Sequence, residues 1–266
     1  FQRNGGYELF SKEDKPLFED CKSNITNINR LLLPIFGEDV FESCSNKFKF
    51  GNIQKELIFN RFEGQINTGK MMAALLEKVQ SSGIKILNNV SVQDFEDMGK
   101  SVQVTTDKFT FKTGKFLIAT NGFASQLGIA EVKPARAQVL ITKPIENLQI
   151  KGTFHLDKGY YYFRNIDSRI LFGGGRNLDL KGEETTDIRE TALIQNKLEE
   201  LLKTVILPKT PFEIDQRWSG IMGVGKTKKP VIKAISENVY CGVRLGGMGV
   251  AIGSLIGRDL ANLARE

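Results

Sequence analysis

Residues 220–227 read GIMGVGKT, which matches the phosphate-loop spacing G-x-x-x-x-G-K-[ST]. That chemistry needs a buried apolar strand before the first glycine and a helix starting at the Lys-Thr pair, so that backbone N–H groups and the helix dipole face phosphate oxygens. The preceding PFEIDQRWS instead puts Asp215, Gln216 and Arg217 where the strand should be apolar, and Pro230 falls in the first turn of the required helix. A nucleotide hydrolase is the remotest reading. The match reads as a coincidence within a glycine-rich loop.

A second set of glycines has better context. NVYCGV reads as a short strand, RLGGMG follows with Gly246, Gly247 and Gly249, and a helix, VAIGSLIGRDLANLARE, starts at once with Gly253 and Gly257 expected on its inner face. Glycine at a strand-to-helix turn lets the backbone approach a cofactor, and the helix N-terminus favours negative charge there. A structural turn with tight helix packing would use the same residues. His155 is the one histidine, which excludes any mechanism needing two, and it reads as structural. Cys21, Cys44 and Cys241 are widely spaced with no C-x-x-C pair, so neither a disulfide framework nor a metal site is expected, and a reducing, cytoplasmic location is.

Several elements must position these groups. The chain of 266 residues is long enough for two domains, and its 41% hydrophobic and 26% charged residues are ordinary for a globular protein. The net charge of +6 is spread along the chain, with KTKK at 226–229 its densest run, so nucleic-acid binding is not expected. No apolar run approaches the roughly 20 residues of a membrane span. The segment DKPLFEDCKSNITNINRLLLPIFG carries helical spacing interrupted by Pro34, and FKFGNIQKELIFNRFEGQI reads as strand material around a turn. NTGKMMAALLEKVQSSG predicts a helix capped at Asn67 or Thr68 and stopped at Gly83; IKILNNVSV predicts a strand, SVQVTT with KFTFKT a hairpin, and GKFLIATNGF a buried parallel strand entering a glycine turn. That order is half of a nucleotide-binding α/β unit. PARAQVLITKP, GTFHLDKGYYYFRN and SRILFGGGR predict antiparallel strands, and DIRETALIQNKLEELLKTVI an amphipathic helix with Ile194, Leu198, Leu201 and Leu202 on one side.

In order and spacing, GQINTGKMMAALLEKVQSSGIKILNNVSV, LIATNGF, PARAQVLITKP, YYYFRNIDSRILFGGG, RWSGIMGVGKTKKPVI and NVYCGVRLGGMGVAIGSLIGRDLANL together resemble the C-terminal two-thirds of the D-amino-acid oxidase/glycine oxidase (DAO) superfamily of FAD-dependent oxidoreductases, over about residues 64–264. The YFR…D.R.LFGG stretch is most similar to the branch that oxidises amines and γ-glutamylated amines. The resemblance implies that GIMGVGKT lies in the family's W-x-G…P-x-I segment, a loop that passes the flavin, and that the Gly-x-Gly-x-x-Gly fingerprint lies upstream of Phe1. It implies that Val90 meets the adenine through its backbone, that Ala119, Thr120 and Gly122 line the adenosine side, and that Leu245, Gly246, Gly247, Met248, Gly249, Val250 and Ala251 present N–H groups to the isoalloxazine carbonyl edge. Such donors with a helix dipole would stabilise anionic reduced flavin.

The family's amino-acid oxidases carry an arginine in W-x-G-x-R as a carboxylate clamp. Met222 stands there in this sequence, whereas Arg244 stands where the family has glycine and is a candidate to hold an acidic substrate group from the other side. Tyr160 falls near the family's active-site tyrosine and Tyr162 shares its strand face, with packing as the alternative role for both. No cysteine is suited to covalent attachment, so FAD is expected to be non-covalent.

The fold expected is α/β (α+β): part of a FAD-binding Rossmann-like domain with an interleaved antiparallel-sheet substrate domain. Residues 1–66 and 134–218 are assigned to the substrate domain, and 67–133 and 219–266 to the FAD domain. The function expected is oxidation of an amine or amino-acid-like small molecule to an imine by hydride transfer to flavin, with oxygen or another acceptor taking the electrons. The competing reading is a non-catalytic, truncated member.

Overall fold

The alternating apolar pattern of residues 133–174 folds as antiparallel strands in the computed structural model, which describes Phe1–Arg265. In chain order the strands are β1 (Gly6–Leu9), β2 (Phe41–Ser45), β3 (Glu56–Asn60), β4 (Val92–Asp97), β5 (Val102–Thr106), β6 (Thr110–Thr113) and β7 (Phe116–Ile118). They continue with β8 (Lys133–Thr142), β9 (Thr153–Leu156), β10 (Tyr161–Ile166), β11 (Arg169–Gly174), β12 (Ile214–Val224), β13 (Val231–Ala234) and β14 (Val239–Val243). The α-helices are α1 (Lys15–Phe36), α2 (Thr68–Ser81), α3 (Ala192–Leu201) and α4 (Gly249–Leu263).

Two units emerge, each with its own core. Unit 1 comprises Phe1–Asn67, Ala137–Leu180 and Arg189–Ser219. Its sheet has the order β12-β8-β11-β10-β9-β1-β3-β2, with β1 antiparallel to β3 and parallel to β9. One face is apolar and aromatic: Phe163 on β10 pairs with Phe154 on β9, their rings stacked with centroids 4.6 Å apart, and Phe172 completes the cluster. Ile194, Leu198 and Leu202 pack against it as the α3 periodicity predicts, and the helix ends in a widened turn over Leu202–Ile206. Because Tyr161, Phe163 and Asn165 are buried, the strand period sends Tyr162 and Arg164 to the opposite face.

Helix α1 covers part of that opposite face. Leu17, Phe18, Cys21 and Ile25 pack with Phe10, Phe41 and Ile58, and buried Asn29 clamps β2 by donating to the Phe41 carbonyl (2.8 Å) and accepting from the Val40 and Phe41 N–H groups. The helix runs through Pro34 to Phe36, correcting the expected interruption. Pro34 lies in the last turn, where one lost i→i−4 bond disturbs little because left-handed Gly37 ends the helix by donating to the Leu33 carbonyl at 2.8 Å.

Unit 2 comprises Thr68–Arg136, Lys181–Ile188 and the chain from Gly220 onward, so residues 181–188 group with it from within the stretch assigned by sequence to the substrate block. It holds two three-stranded sheets, β13-β14-β7 and β4-β5-β6. All five residues of β14 are buried, and β14 runs parallel to β7. Helix α4 packs on β14 through Ile256 and Leu260, and a Cβ on Gly242 would stand 2.9 Å from Leu260 Cδ2. The close-packing glycine is therefore Gly242. Gly253 and Gly257, expected on the inner face, have nothing within 4 Å of where a Cβ would stand, because Ile256 and Leu260 occupy the side of α4 that meets the sheet.

Two expectations for residues 67–92 divide. Helix α2 forms and stops before left-handed Gly83 as predicted, yet it buries no residue. The strand predicted from Ile84 does not form. The chain is extended only from Val92, where it pairs with β5, and Ile84, Ile86 and Leu87 are 57%, 40% and 65% exposed. Among the described residues no strand pairs with them, and an extended run without a ladder lacks the backbone bonds that would hold it; the Ile84 N–H instead closes the end of α2 by donating to the Val79 carbonyl at 3.3 Å. No helix among the described residues is long and apolar enough to cross a membrane.

Candidate functional site

In unit 2, the parallel pair β7–β14 brings two glycine-bearing segments to the same sheet end. Ala119 and Thr120 follow the last residue of β7, and Leu245 and Gly246 lie just past the end of β14. Carboxyl ends of parallel strands are where α/β sheets bind their ligands. Asn121 joins the segments. It sits at φ 48°, and its side-chain oxygen accepts the Leu245 N–H at 3.0 Å. Gly246 N–H in turn donates to the Gly223 carbonyl at 2.9 Å.

Packing at this junction demands small residues. A Cβ on Gly122 would stand 2.6 Å from the Met222 carbonyl oxygen, and one on Gly223 would stand 2.5 Å from Asn121 Oδ1. Gly246 and Gly247 adopt φ 58° and 86°, which only glycine takes without strain, and both are exposed. The Met222 side chain lies beside Gly247, its sulfur 3.6 Å from where a Cβ would be. Met248 makes no side-chain cap at the start of α4, and Gly249, Val250 and Ala251 form the first turn. In this open glycine loop the Leu245, Gly246, Met248 and Ala251 N–H groups are taken by Asn121, Gly223, Leu245 and Met248, so of the donors expected over 245–251 those of Gly247, Gly249 and Val250 at the helix N-terminus are the ones that fit an anionic or carbonyl-bearing cofactor edge.

Val90 lies apart in the chain, in the coil between left-handed Asn89 and Ser91, which Asp107 holds by accepting the Ser91 N–H at 2.9 Å. Asp97 anchors the turn that feeds β14. Its carboxylate accepts from Ser236 Oγ (2.5 Å) and from the Asn238 backbone (2.8 Å), and these bonds hold it well below the usual carboxylate range.

Arg244, proposed from sequence as a substrate clamp, is engaged with its own unit. It donates to the carbonyls of Lys229 (2.8 Å) and Glu131 (3.2 Å) and to Thr227 Oγ1 (3.3 Å), and it adopts φ 66° to do so. Its guanidinium braces the 227–229 loop. The GIMGVGKT segment has no phosphate-loop geometry: residues 220–224 are strand β12, and Pro230 immediately precedes β13.

Deeper in unit 2, Arg136 and Glu183 form an ion pair with each side chain 1% exposed. Arg136 Nη2 donates to Oε1 at 2.6 Å and Nε to Oε2 at 2.9 Å, a bidentate pairing that fastens residues 181–188 to the foot of β8.

In unit 1, the face opposite the aromatic core carries a cross-strand row. Gly173 on β11 faces Tyr162 on β10, Tyr162 faces His155 on β9, and His155 faces Glu8 on β1. A Cβ on Gly173 would stand 2.9 Å from the Tyr162 ring, so the missing side chain makes room for the phenol. Tyr162 keeps 38% of its surface, while burial by the groups packed round it raises its phenol above the ordinary value. His155 Nδ1 lies 2.9 Å from Glu8 Oε1, and that hydrogen bond, opposed by desolvation, raises the imidazole above its ordinary 6.5. One step along the strands, Arg164 donates to the Ile66 carbonyl at 2.7 Å and Thr153 donates to Glu63 at 2.7 Å. Burial lowers the Arg164 guanidinium.

Tyr160 sits in the turn one residue before β10 and is 42% exposed. Its carbonyl accepts the Gly175 N–H at 3.0 Å, and a Cβ on Gly174 would stand 2.1 Å from that carbonyl oxygen. Sequence reasoning named Tyr160, Tyr162 and the glycine loop but missed Asn121, Glu8 and the Arg136–Glu183 pair. An asparagine before glycine at the end of a buried strand was a readable sign of a left-handed turn. The pairing of Glu8 with His155 across 147 positions had no local sign.

The DAO: FAD dependent oxidoreductase family model matches residues 1–263. Among curated proteins, the chain is 21% identical over 220 residues to the probable oxidoreductase OrdL of Haemophilus influenzae, covering 77% of this chain and 48% of that protein. The chain thus spans about half the length of that relative. Among solved structures it is similar to glycine oxidase from Geobacillus kaustophilus (TM-score 0.80, 17% identity, 99% of this chain and 71% of that one). It is also similar to iminodiacetate oxidase from Chelativorans sp. BNC1 (TM-score 0.79, 16%, 99% and 72%) and to L-proline dehydrogenase from P. horikoshii (TM-score 0.72, 21%, 97% and 71%). Identities at this level speak for the fold, and the family model, matching almost the whole length, speaks for descent. The chain belongs to the DAO family of FAD-dependent oxidoreductases.

Proposed function

We infer that the protein oxidises a C–N bond of a small amine or amino-acid-like substrate, with FAD held non-covalently. The observation that carries this reading is the junction at the carboxyl ends of β7 and β14, where Asn121 ties the strand-to-turn segment to the Leu245–Gly247 loop at the N-terminus of α4. In this reading Ala119, Thr120 and Gly122, with Val90, line the adenosine side, and the 245–251 loop meets the carbonyl edge of the ring through the N–H groups of Gly247, Gly249 and Val250, those of Leu245, Gly246, Met248 and Ala251 being engaged within the chain. Bound FAD would supply the two-electron acceptor for a hydride leaving the carbon beside the nitrogen of the neutral amine, giving the protonated imine that water hydrolyses to a carbonyl compound and an ammonium ion.

The chain's own side chains bind and orient. Tyr162, seated over Gly173, and Tyr160 at the adjoining turn serve as positioning groups for the amine. Glu8 and Glu63 give this face carboxylates that favour a cationic ligand. Arg244 acts on the site through the loop it braces, consistent with its three hydrogen bonds. With Met222 in place of the family's arginine clamp, a substrate without an α-carboxylate is favoured, in line with the amine-oxidising branch. Oxygen or another acceptor would reoxidise the flavin.

The test is the visible absorption of the protein expressed from its natural coding sequence. Flavin bands that acid precipitation releases, and that bleach under anaerobic conditions with an added amine, are the expected result. A colourless protein that FAD cannot reconstitute overturns the reading.

A further inference from the structure

The row that carries Tyr162 does not stop at Glu8. The next residue across the sheet is Ile58 on β3, so one cross-strand line runs Tyr162–His155–Glu8–Ile58 from a polar to an apolar end. At the apolar end, α1 and the sheet border a half-open cavity of about 470 Å³. Its wall is made chiefly by Leu17, Cys21, Ile25, Phe41 and Ile58, and Glu8 lines it too. Glu8 therefore belongs both to the cavity and to the row that ends at Tyr162. A second link is independent of the first: Lys158, in the turn that carries Tyr160, also lines the cavity.

The volume is within the range of small-ligand sites, and the lining has their composition, apolar with a few polar groups at the edge. The charged lining groups are the carboxylates of Glu8 and Asp20 and the ammonium of Lys158, a balance that favours a cation with an apolar body over an acid. Asn24 turns its amide to the Asp20 carbonyl at 2.9 Å. Burial raises the Cys21 thiol, which leaves it a small uncharged surface. Adjacent strands lie about 4.8 Å apart, so Glu8 stands two spacings, about 10 Å, from Tyr162 along the row.

We propose that this cavity receives the apolar substituent of the substrate, so that the enzyme prefers amines bearing an aliphatic or aryl tail long enough to reach from Tyr162 past Glu8. The proposal rests on the amine-oxidase reading and adds to it the substrate's distal half.

Three probes of the flavin-loaded full-length protein test it: n-octylamine, whose extended chain reaches Glu8, n-undecylamine, which reaches past it, and 11-aminoundecanoate, each titrated calorimetrically and each tried for anaerobic flavin bleaching. Three further buried methylenes give an expected gain of at least tenfold, with about fiftyfold as the ceiling, for undecylamine over octylamine. 11-Aminoundecanoate, which would place a carboxylate in the cavity with Glu8 and Asp20, is expected to lose that gain. Ile25→Trp fills the cavity and is expected to bring the undecylamine-to-octylamine ratio close to one. Ile28→Trp, at a position already 39% exposed, does the same from the rim and decides the matter if the first variant fails to fold.

A wild-type ratio near one, equal binding of 11-aminoundecanoate, or a ratio that survives both tryptophan variants overturns the proposal. Flavin bleached equally well by octylamine and undecylamine overturns the tail preference while the oxidase reading stands. Tail-dependent binding with no bleaching by any amine overturns the oxidase reading and, with it, the cavity's role as a substrate site.

Discussion

In unit 1 the candidate groups are side chains, Tyr162, His155 and Glu8, standing on three adjacent strands whose other face is a filled aromatic core. In unit 2 they are backbone amides in a loop shaped by Gly246 and Gly247, and helix α2 of the same unit buries none of its residues. A side-chain site inherits its precision from the core beneath it, because each strand residue is fixed by its buried neighbours. A backbone site inherits it from what the chain lacks: Gly122 and Gly223 let segments approach to distances that any Cβ would forbid. The two designs should therefore fail in different ways when mutated.

The largest effect is expected where unit 2 departs from its own pattern and relies on buried side chains. Arg136→Met leaves Glu183 charged and buried, and a loss of about 3–5 kcal/mol in urea unfolding is expected. Pairing it with Glu183→Leu should restore much of that loss, and if the flavin loop depends on backbone alone the double variant keeps its flavin. Gly122→Val comes next. Its added carbons meet the Met222 backbone, so about 1–3 kcal/mol of stability should go, together with the flavin absorbance. Normal flavin content in the Gly122→Val variant would break the claim that close approach builds this site.

Asn121→Ala removes one acceptor for the Leu245 N–H, an expected cost of about 1 kcal/mol. The reading is FAD affinity, which should weaken about fivefold in a titration. The smallest effect concerns the side-chain site. The His155 value is raised in the folded state, so the Glu8–His155 pair adds stability that is fully present below pH 6.5 and fades as pH rises through the raised value. The Tm difference between wild type and Glu8→Gln should therefore be larger at pH 6 than at pH 9. A difference that grows with pH would reverse the assignment.

Much of this is legible in the sequence alone. Alternation across YYYFRN and SRILFGG, with the NIDS turn between them, marks β10 and β11, and the closely spaced glycines of RLGGMG mark a turn between a strand and a helix, because these signals are local. Ile84–Leu87 misled for the complementary reason: apolar residues of strand type still need a partner, and none among the described residues supplies it. Gly253 and Gly257 suggest a packing face of α4 that the structure does not use, because Gly242 on the strand makes the space instead. The row from Tyr162 to Ile58 joins segments from four separate strands, and no window of sequence contains it.

The parallel pairing of β7 with β14 has a consequence for how the protein reaches its final form. Phe116 meets Val239 across more than a hundred positions, and the strands from β8 to β13 lie between them in the chain. Closing so long a loop is entropically slow unless the intervening chain has already condensed. On the reading proposed above, the glycine junction would be among the last contacts to form, and a cofactor bound there would act as a latch on a nearly folded chain.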